Sequence, residues 1–186
     1  MIRVRIHGLG GQGAVTLGHL ICIAASYEGK FVQSSQGQTW DRRGTPMVGF
    51  ARIDEQPINE RGFINDPNIV VVLAESLTRA VNVEAGMPGD GLLIVNAPRD
   101  LGFKHRALTF DFTALAEQKL GSPITNTVML GAFAAATGLF SFDSVERGVR
   151  EILGKKLSEQ VIANNIAAVR AAYEEAQKCL STSSAA

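Results

Sequence analysis

Apolar and polar positions along this chain follow two rhythms, one of period two and one near 3.6. Ile2 to His7 alternates apolar and basic residues, as a half-buried strand does, and runs directly into a glycine-rich turn from Gly8 to Gly13. From Ala14 to about Tyr27 the period changes. Leu17, Leu20, Ile21, Ala24 and Ala25 recur at helical spacing and mark a buried stripe, which Gly29 closes. Phe31-Val32 starts a short second strand, Ser34 to Pro46 reads as a polar loop, and Met47 to Ile53 reads as a strand. Ile69-Val70-Val71-Val72-Leu73 and Leu92-Leu93-Ile94-Val95 are unbroken apolar runs, the form a strand takes when both faces are covered. Gly89-Asp90-Gly91 is turn chemistry, and Ala107 to Phe112 alternates as a shorter strand. Helical spacing then holds over Asn126–Thr137, Ser144–Leu153 and Ser158 to about Lys178.

Strands alternating with helices predict an α/β fold: a Rossmann-like, largely parallel sheet covered by helices on both faces. No internal repeat or long linker divides it, so residues 1–180 are expected to form a single domain and residues 181–186 a disordered tail. Such sheets bind ligands at the carboxyl ends of their strands, which directs attention to the loops after His7, Val32 and Leu73.

Composition narrows the function. The 186 residues carry 18 Lys+Arg against 18 Asp+Glu, so no surplus positive charge is available to meet nucleic-acid phosphates. The two cysteines, Cys22 and Cys179, are too few for a disulfide scaffold or a four-thiolate cluster site. The uncharged stretch from Gly121 to Phe142 is rich in Gly, Ala and Thr and interrupted by Pro123 and Asn126; it reads as a buried helix rather than a membrane span. The amino terminus lacks the charged head and apolar run of a targeting segment. These features predict a soluble, cytoplasmic protein.

Gly8-Leu9-Gly10-Gly11-Gln12-Gly13 satisfies G-x-G-x-x-G in the strand–turn–helix context the motif requires. Glycine permits close backbone approach, and the helix that follows offers unpaired N–H groups to an anion. The turn is a phosphate cradle or a bare tight turn. Gln12 adds an amide that either reaches a ligand or braces the loop. A dinucleotide site also needs an acid about 20 residues on, at the end of the second strand. That position reads Phe31-Val32-Gln33-Ser34-Ser35, with no acid.

A second polar segment, Ser34-Ser35-Gln36-Gly37 followed by Trp40-Asp41-Arg42-Arg43-Gly44-Thr45-Pro46, combines hydroxyls, an amide and two guanidinium groups. It suits a phosphate or carboxylate, and equally a solvated loop. Trp40 is an interface anchor or a ligand platform. His7, His19 and His105 show no metal-like spacing; His7 is structural or, beside the glycine turn, a proton carrier. Cys22 reads as a buried, inert thiol.

In order, the glycine turn, Ser34–Gly37, Arg42–Pro46, Phe50-Ala51-Arg52-Ile53-Asp54, Ile69–Leu73 and Asn126-Thr127-Val128-Met129-Leu130-Gly131-Ala132 resemble the gamma subunit of the 2-oxoacid:ferredoxin oxidoreductases, the group of pyruvate:ferredoxin oxidoreductase. The resemblance runs from Met1 to about Leu180. Gln38-Thr39-Trp40-Asp41 departs from the family pattern of Gly or Pro with an acid. The resemblance implies a subunit inactive alone in an enzyme that oxidises a 2-oxoacid, with coenzyme A as cosubstrate, to acyl-CoA and carbon dioxide. Thiamine diphosphate, Mg2+ and [4Fe-4S] clusters are expected in partner chains: thiamine-binding alpha and beta subunits and a ferredoxin-like iron–sulfur subunit. It makes Gly8, Gly10, Gly11, Gln12, Gly13, Ser35, Gln36, Arg42 and Arg43 the candidate contacts near coenzyme A or the substrate. Asn126 is expected to cap its helix or to touch the ligand. The competing readings are a stand-alone NAD(P)-dependent oxidoreductase and a noncatalytic nucleotide-binding assembly module.

Overall fold

The computed structural model describes residues 1–37, 43–155 and 157–183. The expectations placed on Trp40 and Arg42, and on the end of the tail, fall outside the described residues. Among the described residues there are six strands: β1 (Ile2–Leu9), β2 (Phe31–Gln36), β3 (Pro46–Asp54), β4 (Ile69–Val72), β5 (Leu92–Asn96) and β6 (Arg106–Phe110). Six helices accompany them: α1 (Ala14–Ser26), α2 (Leu77–Ala80), α3 (Phe112–Leu120), α4 (Thr125–Thr137), α5 (Phe142–Leu153) and α6 (Glu159–Ser183).

The strands form one sheet in the order β2-β3-β1-β4-β5-β6. β1, β4, β5 and β6 run parallel, with Ile6 opposite Val71 and Ile94 opposite Leu108. β2 and β3 form an antiparallel hairpin, and β3 pairs antiparallel with β1. The Rossmann-like part is therefore the parallel half. In a dinucleotide fold the second strand lies beside the first; here β3 occupies that place and β2 is the sheet edge. The position from which an acid would reach a ribose does not exist, which disfavours the NAD(P) reading on topology as well as on sequence.

The helices are divided unevenly. Side chains from α1, α3, α4, α5 and α6 pack on one face, against Val4, Ile6, Ala51, Ile53, Val71, Ile94 and Leu108. The opposite face, with Val70, Val72, Leu93 and Val95, is covered by the short α2 and by loop residues such as Val83, Leu101 and Phe103. Both faces of β4 and β5 are thus buried, as their unbroken apolar runs require. At about 25 cal/mol per Å², each fully buried Val, Ile or Leu contributes on the order of 2 kcal/mol against its exposed state.

Several boundaries moved. Ser34–Gln36 belongs to β2, because Gln33 and Ser35 pair with Arg52 and Phe50 even though their own side chains are polar. Phe112 opens α3 rather than ending β6; Asp111 stops the strand by capping the helix, its Oδ1 accepting from Ala114 N–H at 2.8 Å. α6 continues to Ser183, past the expected end near Lys178. Among the described residues, no helix is long and apolar enough to cross a membrane.

Candidate functional site

The end of β1 becomes the glycine turn because strand and helix must approach closely there. A Cβ on Gly8 would lie 3.0 Å from Leu73 Cδ1 and 3.1 Å from the Ala14 methyl group, so this glycine serves packing. Gly11 and Gly13 have φ values of 93° and 79°, the left-handed region. Gly13 is also the N-cap of α1 and offers no side chain to cap it.

Hydrogen bonds divide the turn into used and unused donors. Gly10 N–H donates to Thr45 O at 2.8 Å, and Gly44 N–H returns a bond to Gly10 O at 3.1 Å. Gln12 N–H donates to Leu9 O at 2.9 Å, and Gln12 Oε1 accepts from Leu9 N–H at 2.8 Å. Gln12 is a loop brace. The N–H groups of Gly11 and Gly13 have no hydrogen-bond partner among the described residues. The first N–H groups of α1 are likewise left unpaired by the helix itself.

The bonds between Gly10 and the 44–45 segment bring Arg43 to the turn; its Cγ is 4.0 Å from where a Cβ on Gly11 would lie. Ser35 and Gln36 are not brought there. They pair with Phe50 and Gly49, and β3 separates their strand from β1, so they stand two strands out, about 10 Å.

What meets the glycine turn instead comes from about a hundred residues further along the chain. A half-open pocket of about 510 Å³ is lined by Gly11, Gln12, Gly13 and Thr16 on one side, and by Thr113 and Pro123 to Asn126 on the other. Asn126 is not the N-cap of α4; Ile124 is, and Asn126 lies in the first helical turn with its side chain over Gly13. Asn96 holds this end of the sheet together. Its Nδ2 donates to Leu73 O at 2.9 Å and to Thr113 Oγ1 at 2.8 Å, and its Oδ1 accepts from Thr113 N–H at 3.1 Å. Sequence reasoning missed Thr113 and Asn96; Asn at the end of an apolar strand was the one available signal.

The histidines stand apart from the pocket. His7 is buried on the opposite face of β1, where Arg5 Nε donates to His7 Nε2 at 3.1 Å. Arg5 is fixed in turn by Val83 O at 3.0 Å and Ala85 O at 2.6 Å. Burial, with the Arg5 charge second, pushes the imidazole down to about 4, so it is neutral and protonated on Nδ1 at physiological pH. His19 is exposed, and His105 Nδ1 lies 2.7 Å from Glu84 Oε1. Burial pushes the Cys22 thiol up to about 12, which makes it inert. Among the described residues, no group of three or more His, Cys, Asp or Glu could hold a metal ion.

Fold and pocket define an α/β domain whose glycine turn leaves backbone N–H groups open to a pocket lined, among the described residues, by no ionisable side chain. Residues 3–175 match the family of pyruvate ferredoxin/flavodoxin oxidoreductases. The common gamma subunit of the pyruvate/ketoisovalerate oxidoreductases of Pyrococcus abyssi is 43% identical over 185 residues, covering 95% of this chain and 98% of that protein. The crystal structure of pyruvate oxidoreductase subunit PORC from Thermotoga maritima superposes with a TM-score of 0.81 at 31% identity, covering 93% of this chain and 95% of that one. A chain of the 2-oxoglutarate:ferredoxin oxidoreductase of Magnetococcus marinus, solved with 2-oxoglutarate, coenzyme A and succinyl-CoA, shares the fold at 19% identity and a TM-score of 0.77; the match covers 95% of this chain and 31% of that one. The chain belongs to the pyruvate ferredoxin/flavodoxin oxidoreductase family, as its gamma subunit. It is therefore one subunit of an oxidoreductase complex.

Proposed function

We propose that this gamma subunit serves the oxidative decarboxylation of a 2-oxoacid, such as pyruvate or an aryl 2-oxoacid, and that its glycine turn frames the approach of coenzyme A. In the balanced reaction the C–C bond to the carboxylate breaks and releases carbon dioxide, two electrons leave for the acceptor, and the acyl carbon bonds the coenzyme A sulfur as its thiol proton is released to solvent. Thiamine diphosphate with Mg2+ in the alpha and beta subunits supplies the carbanion chemistry, and [4Fe-4S] clusters of a ferredoxin-like subunit carry the electrons onward. The assembly works in the cytoplasm, where coenzyme A and ferredoxin-type carriers are held. The observation that carries this reading is a pocket rich in hydrogen-bond donors and lined, among the described residues, by no ionisable side chain: these residues suit holding an anionic group rather than moving protons or electrons. Binding here and chemistry in a partner follow from that division. Gly10, Gly11, Gln12 and Gly13 build the approach, Gly8 seats it on the sheet, and Arg43 lies at its side. Ser35 and Gln36, out on the edge strand, belong instead to the surface that meets a partner.

Two measurements on the assembled enzyme test this. Gly11→Val is expected to raise KM for coenzyme A by blocking backbone approach, and Arg43→Ala to raise KM more than it lowers kcat, as lost ground-state binding does. Unchanged KM in both variants would overturn the coenzyme A role. Purification of the chain from its source without a thiamine-binding partner would overturn the assembly.

A further inference from the structure

The sheet ends in an open edge at β6, and a groove runs along it. β6 is last in the strand order and is paired on one side only, with β5. A half-open groove of about 530 Å³ follows the strand from Arg106 to Asp111. Its walls come from the two layers that flank the sheet. The loop after β5, from Ala97 to Asp100, stands on one face, and Cys179 and Leu180 near the end of α6 stand on the other.

Backbone groups line the floor. Ala97 N–H donates to Phe110 O at 3.0 Å, so Phe110 turns its peptide groups toward β5. Alternation along the strand then directs the N–H and C=O groups of Ala107 and Thr109 outward into the groove, where no described residue pairs with them. Native sheets ordinarily cover or blunt such an edge, because its free groups template another strand. The charges that line the groove are engaged, with one exception. Arg99 reaches Glu75 at 3.0 Å, Asp100 accepts from Gly102 N–H at 3.0 Å, and Asp111 caps α3. Arg106 is exposed and has no ion-pair partner among the described residues.

The recess selects the occupant. A second copy of this chain would carry the same strand between the same walls, and the walls would meet before the two strands came within the ~4.8 Å of a ladder. A single extended segment fits between them. We propose that β6 is a docking edge for an extended, acid-bearing arm of another subunit of the oxidoreductase complex, which adds a strand to the sheet and sets a carboxylate on Arg106. Alternate side chains of the arm lie against Leu180 on one face and against Ala97 and Pro98 on the other. The proposal rests on the chain's being one subunit of a larger enzyme, and it stands whether or not the glycine turn meets coenzyme A.

Hydrogen exchange, compared between the full chain alone and the assembled enzyme, tests the edge. The amides of Ala107 and Thr109 are expected to exchange at least about tenfold more slowly in the assembly. Thr109→Pro deletes an outward donor without breaking a bond to β5, and Arg106→Glu reverses the free charge. Each is expected to weaken binding of the chain to the remaining subunits by about tenfold, with the melting temperature of the chain alone showing that the variant folds. Where Thr109→Pro does not fold, Arg106→Glu decides. Arg106→Lys supplies an amine, and carbodiimide treatment of the assembled enzyme is expected to join it to an Asp or Glu of another subunit, a link that the wild type does not form. An assembled enzyme in which the two amides stay open, or in which every folded variant binds with unchanged affinity, would refute the docking edge and leave the assembly standing. Protection already present in the chain alone, from a second copy at rising concentration or from its own residues 184–186, would put another occupant in the groove and defeat the proposal.

Discussion

The side-chain amide of Asn126 lies directly over the backbone of Gly13: a Cβ built on Gly13 would overlap Nδ2 and stand 2.9 Å from Cγ of Asn126. The glycine that ends the turn is therefore required twice, by its φ of 79° and by a residue distant from it in sequence. Gly13→Ala is expected to cost about 1–3 kcal/mol in urea unfolding. In an Asn126→Ala background the cost is expected to fall, leaving only the backbone strain. An equal cost in both backgrounds would show that the two residues are not coupled.

Gly131 in α4 lies against α6, and a Cβ there would overlap Val169 O and stand 3.0 Å from Tyr173 N. Alanine has the better helix propensity, by about 1 kcal/mol. Overpacking against backbone that cannot yield is expected to win, so Gly131→Ala should destabilise by about 1–3 kcal/mol, read from the urea midpoint. A stabilised variant would mean that the two helices slide apart freely.

His7 gives the fold a pH dependence. Its folded value is depressed from 6.5 to about 4, so below 6.5 the unfolded chain binds the proton that the native state refuses. Stability is then full above pH 6.5 and falls as pH drops from 6.5 toward 4, by on the order of 3 kcal/mol across the window. His7→Gln keeps an acceptor for Arg5 and cannot titrate. Its stability is expected to be flat over that window once other groups are subtracted, and an unaltered slope would assign the effect elsewhere.

Glu28 acts at the other end of the pH scale. Its carboxylate accepts from Ser141 N–H and Oγ at 2.8 Å and from Ser144 Oγ at 2.7 Å, joining the end of α1 to the start of α5. The Ser141 backbone bond first, then the Ser144 and Ser141 hydroxyls, hold it down from 4.5 to about 2. A depressed acid stabilises above its unfolded value, and the contribution is lost as pH falls from 4.5 to 2. Glu28→Gln is expected to melt below the wild type at neutral pH and to converge with it near pH 2. A gap in melting temperature that persists there would show that the carboxylate charge plays no part.

Much of the local structure was legible in the residues. Leu17, Leu20, Ile21 and Ala24 report α1 because helical spacing is a property of neighbouring residues, and Ile69–Val72 reports a doubly covered strand for the same reason. The two helices that went unread are the exceptions that fit the rule: α2 is a single turn, and α3 begins where Asp111 caps it, inside an alternating run. The glycine turn was visible as a motif, while its division into braced and open donors was not, since Gln12 could be assigned only once Leu9 N–H was seen to need its oxygen.

The chain by itself determined the α/β alternation, the strand–turn–helix at its start and the resemblance that gives its family, because each is written in short-range pattern or residue order. Tertiary structure alone decided that β3 rather than β2 borders β1, that Ser35 and Gln36 stand away from the turn, and that Thr113, Thr125 and Asn126 face Gly13. Those relationships join segments far apart in the chain, and only burial of the shared core, which draws α1 and α4 onto the same face of the sheet, brings their uncapped ends together.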